Sequence, residues 1–324
     1  MKYNCVVLLG PTAVGKTSLG VRLADYFNWD IISADSRQTY KGLDLGSGKD
    51  LKEYTITKTD SSGKEYTKQI PYHLIDVATL DKEYNVYKYQ SDFYRIFKEQ
   101  TAQNKMPFVV GGTGMYVDSV VRGYDFVEVP ENHFLREELE KLSLDELDEK
   151  LLSLKPNLHN QSDLLIRERV VRAIEIELYM KSDDCKNKRE KMEKRPEINA
   201  FVIGTTINRE LLRNNIKIRL DERIEEGMIE EVQNLHDVNG YSWERLEKLG
   251  LEYRYCSMFL QGKIETQEQM TQELYHSICQ FAKRQETWFR GMEKKGVKIL
   301  WLSPVMDVEE RYKQACDLVE QCFK

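Results

Sequence analysis

Residues 6–18 read VVLLGPTAVGKTS: an apolar run of strand length stops at a glycine and passes through a loop into a helical pattern. The loop, Gly10-Pro11-Thr12-Ala13-Val14-Gly15-Lys16-Thr17, fits G-x-x-x-x-G-K-[ST], and the flanking strand and helix are its expected context. Glycines let such a P-loop wrap round a phosphate chain, whose charge is met by successive N–H groups and the N-terminus of the following helix. Lys16 is suited to neutralise the distal oxygens, and the Thr17 hydroxyl to bind Mg²⁺. Alone, the loop suggests a bound nucleotide such as ATP. What it recognises is charge and geometry, so it identifies a phosphate and not a reaction.

The rest of the first stretch alternates in the same way. Cys5–Leu9 reads as strand, Lys16–Phe27 as helix, Asp30–Ala34 as strand, Val86–Asn104 as helix, and Pro107–Val110 as a strand ending in Gly111-Gly112. Strands alternating with helices predict an α/β fold, a parallel sheet with helices on both faces. Residues 54–69, YTITKTDSSGKEYTKQ, alternate β-branched or aromatic with polar side chains around Asp60–Gly63, predicting an exposed β-hairpin within 52–70. From Pro130 to about Lys194 no strand is evident. The spacings Leu139/Leu142/Leu147/Leu151 and Leu164/Leu165/Val170/Ile174/Leu178 are helical. Strand-like sequence resumes at Ala200–Gly204 and again at Val297–Leu302. The expected organisation is a core from 1–125 and 197–324, with a helical insertion at 126–196.

Composition sets limits. The chain has 324 residues, 41% hydrophobic and 31% charged, which suits a folded soluble protein rather than a disordered one. Gly10-Pro11 cuts the first apolar run too early for a secretion leader, and no later run reaches membrane-spanning length. The six cysteines are scattered without zinc spacing, so reduced thiols in a cytoplasm are expected. A net charge of −6 argues against a general nucleic-acid binder. Phosphate contacts depend on local faces, however, and Lys181–Arg195 and Lys283–Lys298 are enriched in Lys and Arg.

Four further segments carry chemistry. Asp35 follows directly on an apolar strand and should face the crevice at the strands' carboxyl ends. A carboxylate there can take a proton, orient an acceptor or hold a metal through water; the alternative is an N-cap or turn aspartate. In FVVGGTGMY (108–116) the strand ends in glycines instead of a magnesium-binding aspartate, with Thr113 either at a ligand or capping a helix. Residues 208–232 form one amphipathic helical pattern in which Arg209, Arg213, Arg219 and Arg223 mix with acids. Such a series is usually a solvated face, yet one arginine aimed at the cleft would suffice for a leaving phosphate. In FAKRQETWFRG (281–291) cations alternate with aromatics, a pattern for gripping phosphates and stacking bases, or simply a helix with a core face and a solvated one.

Together these segments resemble the tRNA dimethylallyltransferase (tRNA isopentenyltransferase) family, bacterial type. GPTAVGKT, SADSRQTYKGLDLGSGK, PYHLID with VGGTGMY, and AKRQETWFR occur in order, and the likeness runs from residue 6 to about 302. The resemblance implies transfer of a dimethylallyl group from dimethylallyl diphosphate to the exocyclic amine of the adenosine 3′ of the anticodon, with Mg²⁺ as metal. It implies diphosphate at Gly10–Thr17, with Lys16 as clamp, Thr17 toward the metal, and Arg219 on the diphosphate. Asp35 becomes the general base and Thr113 its helper at the amine. Asp35, Ser36, Arg37, Gln38, Thr113, Lys283, Arg284, Gln285, Thr287, Trp288 and Arg290 match tRNA-touching positions. The implied partners are tRNA and the diphosphate donor, with no membrane, and a monomer in the cytoplasm. Departures are Leu251 and Glu252 between Gly250 and Tyr253, before Arg254; a long hairpin; Asp50 where proline is common; and no C-terminal zinc finger. A small-molecule kinase, an adenine-nucleotide prenyltransferase and a P-loop RNA binder without catalysis are the competing readings.

Overall fold

The computed structural model describes residues 2–156, 166–191 and 194–323. It has two compact units, Met1–Tyr124 with Pro196–Lys324, and Asp125–Arg195. The first stretch supplies β1 (Cys5–Leu9), α1 (Lys16–Phe27), β2 (Ile31–Ser33), β3 (Thr55–Thr59), β4 (Glu65–Gln69), β5 (Tyr72–His73), α2 (Val86–Ala102), β6 (Phe108–Gly111) and α3 (Gly114–Val121). The second unit holds α4 (His133–Leu139), α5 (Leu144–Leu154), α6 (Arg167–Met180) and α7 (Asp183–Lys191). The chain then returns to the first unit with β7 (Ala200–Gly204), α8 (Arg209–Glu225), α9 (Met228–Asp237), α10 (Trp243–Glu247), α11 (Leu251–Leu260), α12 (Gln267–Lys294), β8 (Ile299–Trp301) and α13 (Val308–Phe323).

Six strands form a parallel sheet in the order β5-β2-β6-β1-β7-β8. β1 lies near its centre because all five of its side chains are apolar and can be buried on both faces. Cys5, Val7 and Leu9 enter one core with Tyr89 and Phe93 of α2, Val117 of α3 and Phe289 of α12. Val6 and Leu8 enter the other with Leu19 and Leu23 of α1 and Val319 of α13. The predicted parallel α/β architecture is therefore what the chain adopts. Among the described residues no helix is long and apolar enough to cross a membrane, and all six cysteines are free.

Two local expectations change. The single helix expected over 208–232 breaks into α8 and α9 at Gly227, whose φ of 101° costs little without a side chain. PYHLID, expected only as a motif, contributes the short edge strand β5, paired to β2. β3 and β4 make the antiparallel hairpin, and Lys58 and Lys68 tie it to Asp25 of α1 at 2.7 and 2.8 Å.

In the second unit Leu139, Leu147, Leu151, Val170 and Ile174 form a core of their own. Ser143 and Glu146 make a reciprocal capping box that starts α5. Leu164 and Leu165 lie outside the described residues.

Candidate active site

Parallel pairing aligns strand ends that are distant in sequence: Leu9 of β1 is in register with Gly111 of β6, and Ser33 of β2 with Val110. The phosphate loop, Asp35 and Thr113 consequently leave the same edge of the sheet, where open α/β sheets hold their ligands. The Thr113 N–H donates to the Ala34 carbonyl at 3.0 Å, and its Oγ1 accepts from the Ser36 N–H at 2.9 Å. Thr113 stands at the N-cap position of α3 but makes no side-chain cap bond; its hydroxyl reaches across to the Asp35–Ser36 turn. Asp35 is in part a turn aspartate, since Oδ1 accepts the Arg37 N–H at 3.1 Å. Oδ2 takes no hydrogen bond from the described residues.

Lys16 donates across the loop to the Pro11 carbonyl. Removal from water lowers its pKa to about 8, with Asp35 pulling it up and Arg219 pushing it down. Arg219 and Arg223 are the arginines of α8 that turn inward, whereas Arg209 and Arg213 are exposed. Arg219 Nη1 approaches Thr12 Oγ1 at 3.5 Å, and Asp50 pairs with both inward arginines, at 3.2 Å to Arg219 and 2.8 Å to Arg223.

α12 closes the site. Gln285, 7% exposed, accepts the Thr12 N–H at 2.9 Å and donates to the Gly112 carbonyl at 2.8 Å, stitching the phosphate loop to the end of β6. Gly114 lets the Trp288 ring pack directly on the start of α3, because a Cβ there would overlap the indole. Lys283, Arg284 and Arg290 are exposed, and Thr287 bonds back to the Lys283 carbonyl at 2.9 Å. Gln38 is buried, accepting from Ser33 at 2.9 Å and donating to the Gly48 carbonyl at 3.0 Å. The amides of Gln38 and Gln285, expected at RNA, are thus spent inside the protein, tying the walls of the site together.

The loop 43–50 is pinned from several sides. The Glu231 carboxylate accepts the N–H groups of Asp44, Leu45 and Gly46, and the Tyr253 hydroxyl donates to it at 2.7 Å. Buried Lys49 pairs with Asp44 at 2.7 Å and with Asp76 at 2.6 Å, which gives the last residue of PYHLID its structural work. Arg254 is exposed and bonded locally to the Glu247 carbonyl at 3.1 Å, apart from this cluster. Beside Thr113 opens a cavity of about 720 Å³, lined among others by Ser36, Arg37, Tyr40, Tyr116, Arg245 and Lys248. Arg245 donates to the Leu80 carbonyl at 2.9 Å, while its Nη2 is buried with no hydrogen-bond partner among the described residues. Sequence reasoning missed Glu231, Tyr116 and Arg245, and it named Asp50 only as a departure and Arg223 only as one of four arginines in a charged helix. For α10, a short helix capped by Ser242, the sequence carries no signal beyond helical spacing.

A phosphate loop and a cavity lined by Ser36 and Thr113 at the same edge of a parallel sheet is the layout of a P-loop α/β protein with its ligand crevice at the strand ends. The comparisons narrow that class. The IPP transferase family model matches residues 38–292 and the isopentenyl transferase model residues 3–61. The chain is 49% identical over 305 residues to tRNA dimethylallyltransferase 2 of Treponema denticola, covering 93% of this chain and 96% of that one. It is 48% identical to tRNA dimethylallyltransferase 1 of Syntrophus aciditrophicus, covering 93% and 94%. In structure it resembles the tRNA isopentenylpyrophosphate transferase of Bacillus halodurans, with a TM-score of 0.66 and 27% identity over 98% and 96% of the two chains. A eukaryotic dimethylallyltransferase acting on tRNA shares the fold, with a TM-score of 0.74 at 20% identity over 98% and 79%. The chain belongs to the IPP transferase family.

Proposed function

We propose that the protein transfers the dimethylallyl group of dimethylallyl diphosphate to the N6 amine of the adenosine 3′-adjacent to the anticodon of tRNA, releasing diphosphate. The observation that carries this reading is Asp35, with one carboxylate oxygen unengaged, close enough to Lys16 of the phosphate loop to act on its charge and followed by Ser36, which bonds the Thr113 hydroxyl and lines the cavity. Near-full-length likeness to relatives named as tRNA dimethylallyltransferases supports it.

In the reaction a bond forms between N6 and the allylic carbon while the bond from that carbon to the diphosphate oxygen breaks. The departing oxygen takes the electron pair, and the amine loses a proton. An adenine amine is a weak nucleophile because its lone pair is delocalised into the ring. Asp35 Oδ2 accepts the proton as the bond forms, and Thr113 orients the amine. Charge develops on the leaving diphosphate, where the loop N–H groups, Lys16 and Arg219 meet it. An adenosine reaching this cavity must leave its stack, at about a few kcal/mol; exposed Lys283, Arg284, Trp288 and Arg290 supply the compensating contacts.

Mg²⁺ fits the donors present. Thr17 lies in the first turn of α1, and among the described residues no group of three His, Cys, Asp or Glu could hold a metal unaided. Magnesium keeps most of its waters and takes substrate phosphates as ligands, so a single hydroxyl beside the diphosphate suits it. When bound it would neutralise charge on the donor.

The test is direct. With unmodified tRNA, dimethylallyl diphosphate and Mg²⁺, nucleoside analysis should detect N6-dimethylallyladenosine. Phosphoryl transfer or hydrolysis with ATP in place of the donor, without prenylation, would overturn the reading in favour of a kinase.

A further inference from the structure

Asp50 ends the pinned loop in a left-handed conformation, φ 27° and ψ 53°, with its carboxylate against α8. Arg223 Nη2 donates to both carboxylate oxygens, at 2.9 and 2.8 Å, and Arg219 Nη2 donates to Oδ2 at 3.2 Å. The other terminal nitrogen of Arg219, Nη1, is the one that approaches Thr12 in the phosphate loop. The guanidinium fork therefore spans from Asp50 to the loop, one end on each. Asp50 is the only ion-pair partner of Arg219 among the described residues.

The arrangement solves an electrostatic problem. Arg219 and Arg223 are four apart on one helix, where like charges repel. Burial and the neighbouring Arg219 both push the Arg223 pKa down, and Asp50 works against that shift. One carboxylate shared by the two cations offsets their repulsion. Arg219, with about a third of its side chain exposed, would otherwise be able to swing into water. Packing adds to the restraint: Gly48 brings bare backbone against the Arg219 fork, where any Cβ would overlap Nη2.

We propose that Asp50 is a positioning residue that holds Arg219 over the phosphate loop before the donor arrives, so that binding need not order that side chain. This rests on the proposed function only in taking diphosphate as the ligand of the loop. Preorganisation is worth what immobilising one flexible side chain would cost, roughly three- to tenfold in affinity.

The test is a calorimetric titration with inorganic pyrophosphate and Mg²⁺ of the wild type, Asp50→Asn, Arg219→Gln and the double variant. Asparagine keeps the size and tolerates the left-handed backbone. Asp50→Asn should weaken pyrophosphate binding about three- to tenfold in the parent protein and by less than about twofold once Arg219 is gone. The donor KM should rise by the same factor. Additive losses in the double variant would mean that Asp50 does not act through Arg219. Unchanged or tighter binding in Asp50→Asn would make the carboxylate idle or a competitor of the ligand; each result overturns the proposal. If the asparagine variant folds poorly, Asp50→Glu, with its charge one methylene further out, must show the same dependence on Arg219. Wild-type protein that binds pyrophosphate but prenylates no tRNA would sink the reaction and leave the role of Asp50 intact. Prenylation with an unaltered Asp50→Asn would do the reverse.

Discussion

Asp35 has two oxygens with two employments: Oδ1 closes a turn with the Arg37 N–H, and Oδ2 is left for an acceptor. Asp35→Asn preserves the turn and removes the base. It should lower single-turnover prenylation by about 10²- to 10⁴-fold while changing tRNA affinity by less than about twofold. Equal losses in rate and affinity would make Asp35 a binding residue. Lys16 predicts a pH profile. Its pKa of about 8 means that the free protein loses this charge as pH rises through 8, so kcat/KM for the donor should fall above that pH. Arg219→Gln removes a cation that lowers the Lys16 pKa and should move the break upward. Folding stability runs the other way. Between about 8 and the ordinary lysine value of 10.5 the unfolded chain binds the extra proton, so this lysine adds stability as pH rises. The motif made Lys16 legible as a phosphate ligand, but its shifted pKa arises from burial and from neighbours 19 and 203 positions away in the chain.

Elements were legible where period and punctuation agreed. β1 and β6 follow from apolar runs ended by glycines, because strands buried on both faces need such runs. The break between α8 and α9 was not foreseen. A glycine inside a helical pattern is ambiguous until packing decides whether the chain turns there. In α6, Glu175 is buried at 2% exposure and takes hydrogen bonds from Arg136, Arg172 and the Asn132 N–H. Burial opposes its charge, but those donors outweigh it and hold the pKa below the ordinary 4.5. A depressed carboxylate pKa contributes stability above the unfolded value and loses it as pH falls through the folded one. The Asp125–Arg195 unit should therefore weaken below pH 4.5, as read by amide exchange. Glu175→Gln should cost it about 1–3 kcal/mol at neutral pH and remove that acid sensitivity.

At the scale of the molecule, a net charge of −6 coexists with local cationic surface, including an exposed face of α12. Replacing Lys283, Arg284 and Arg290 together by alanine should weaken tRNA binding. It should also reduce the slope of log affinity against log salt by about 2, since each single-strand phosphate contact contributes about 0.7. Pyrophosphate binding should be unchanged. A salt slope equal to the wild type's would show that tRNA lies elsewhere. The amino-acid sequence by itself determined the parallel α/β core and the phosphate loop, because local period and glycine spacing dictate them without reference to distant residues; Asp35 and Thr113 were legible only as strand-end candidates, and their roles came from the resemblance. Only the tertiary structure decided which arginines of α8 turn inward, that Gln38 and Gln285 work inside the protein, and that Asp50 faces Arg219. Gln38 finds its partners 5 and 10 positions away, but the other choices depend on contacts between segments some 170 to 270 positions apart, such as Asp50 with Arg219 and Thr12 with Gln285, which no local pattern records.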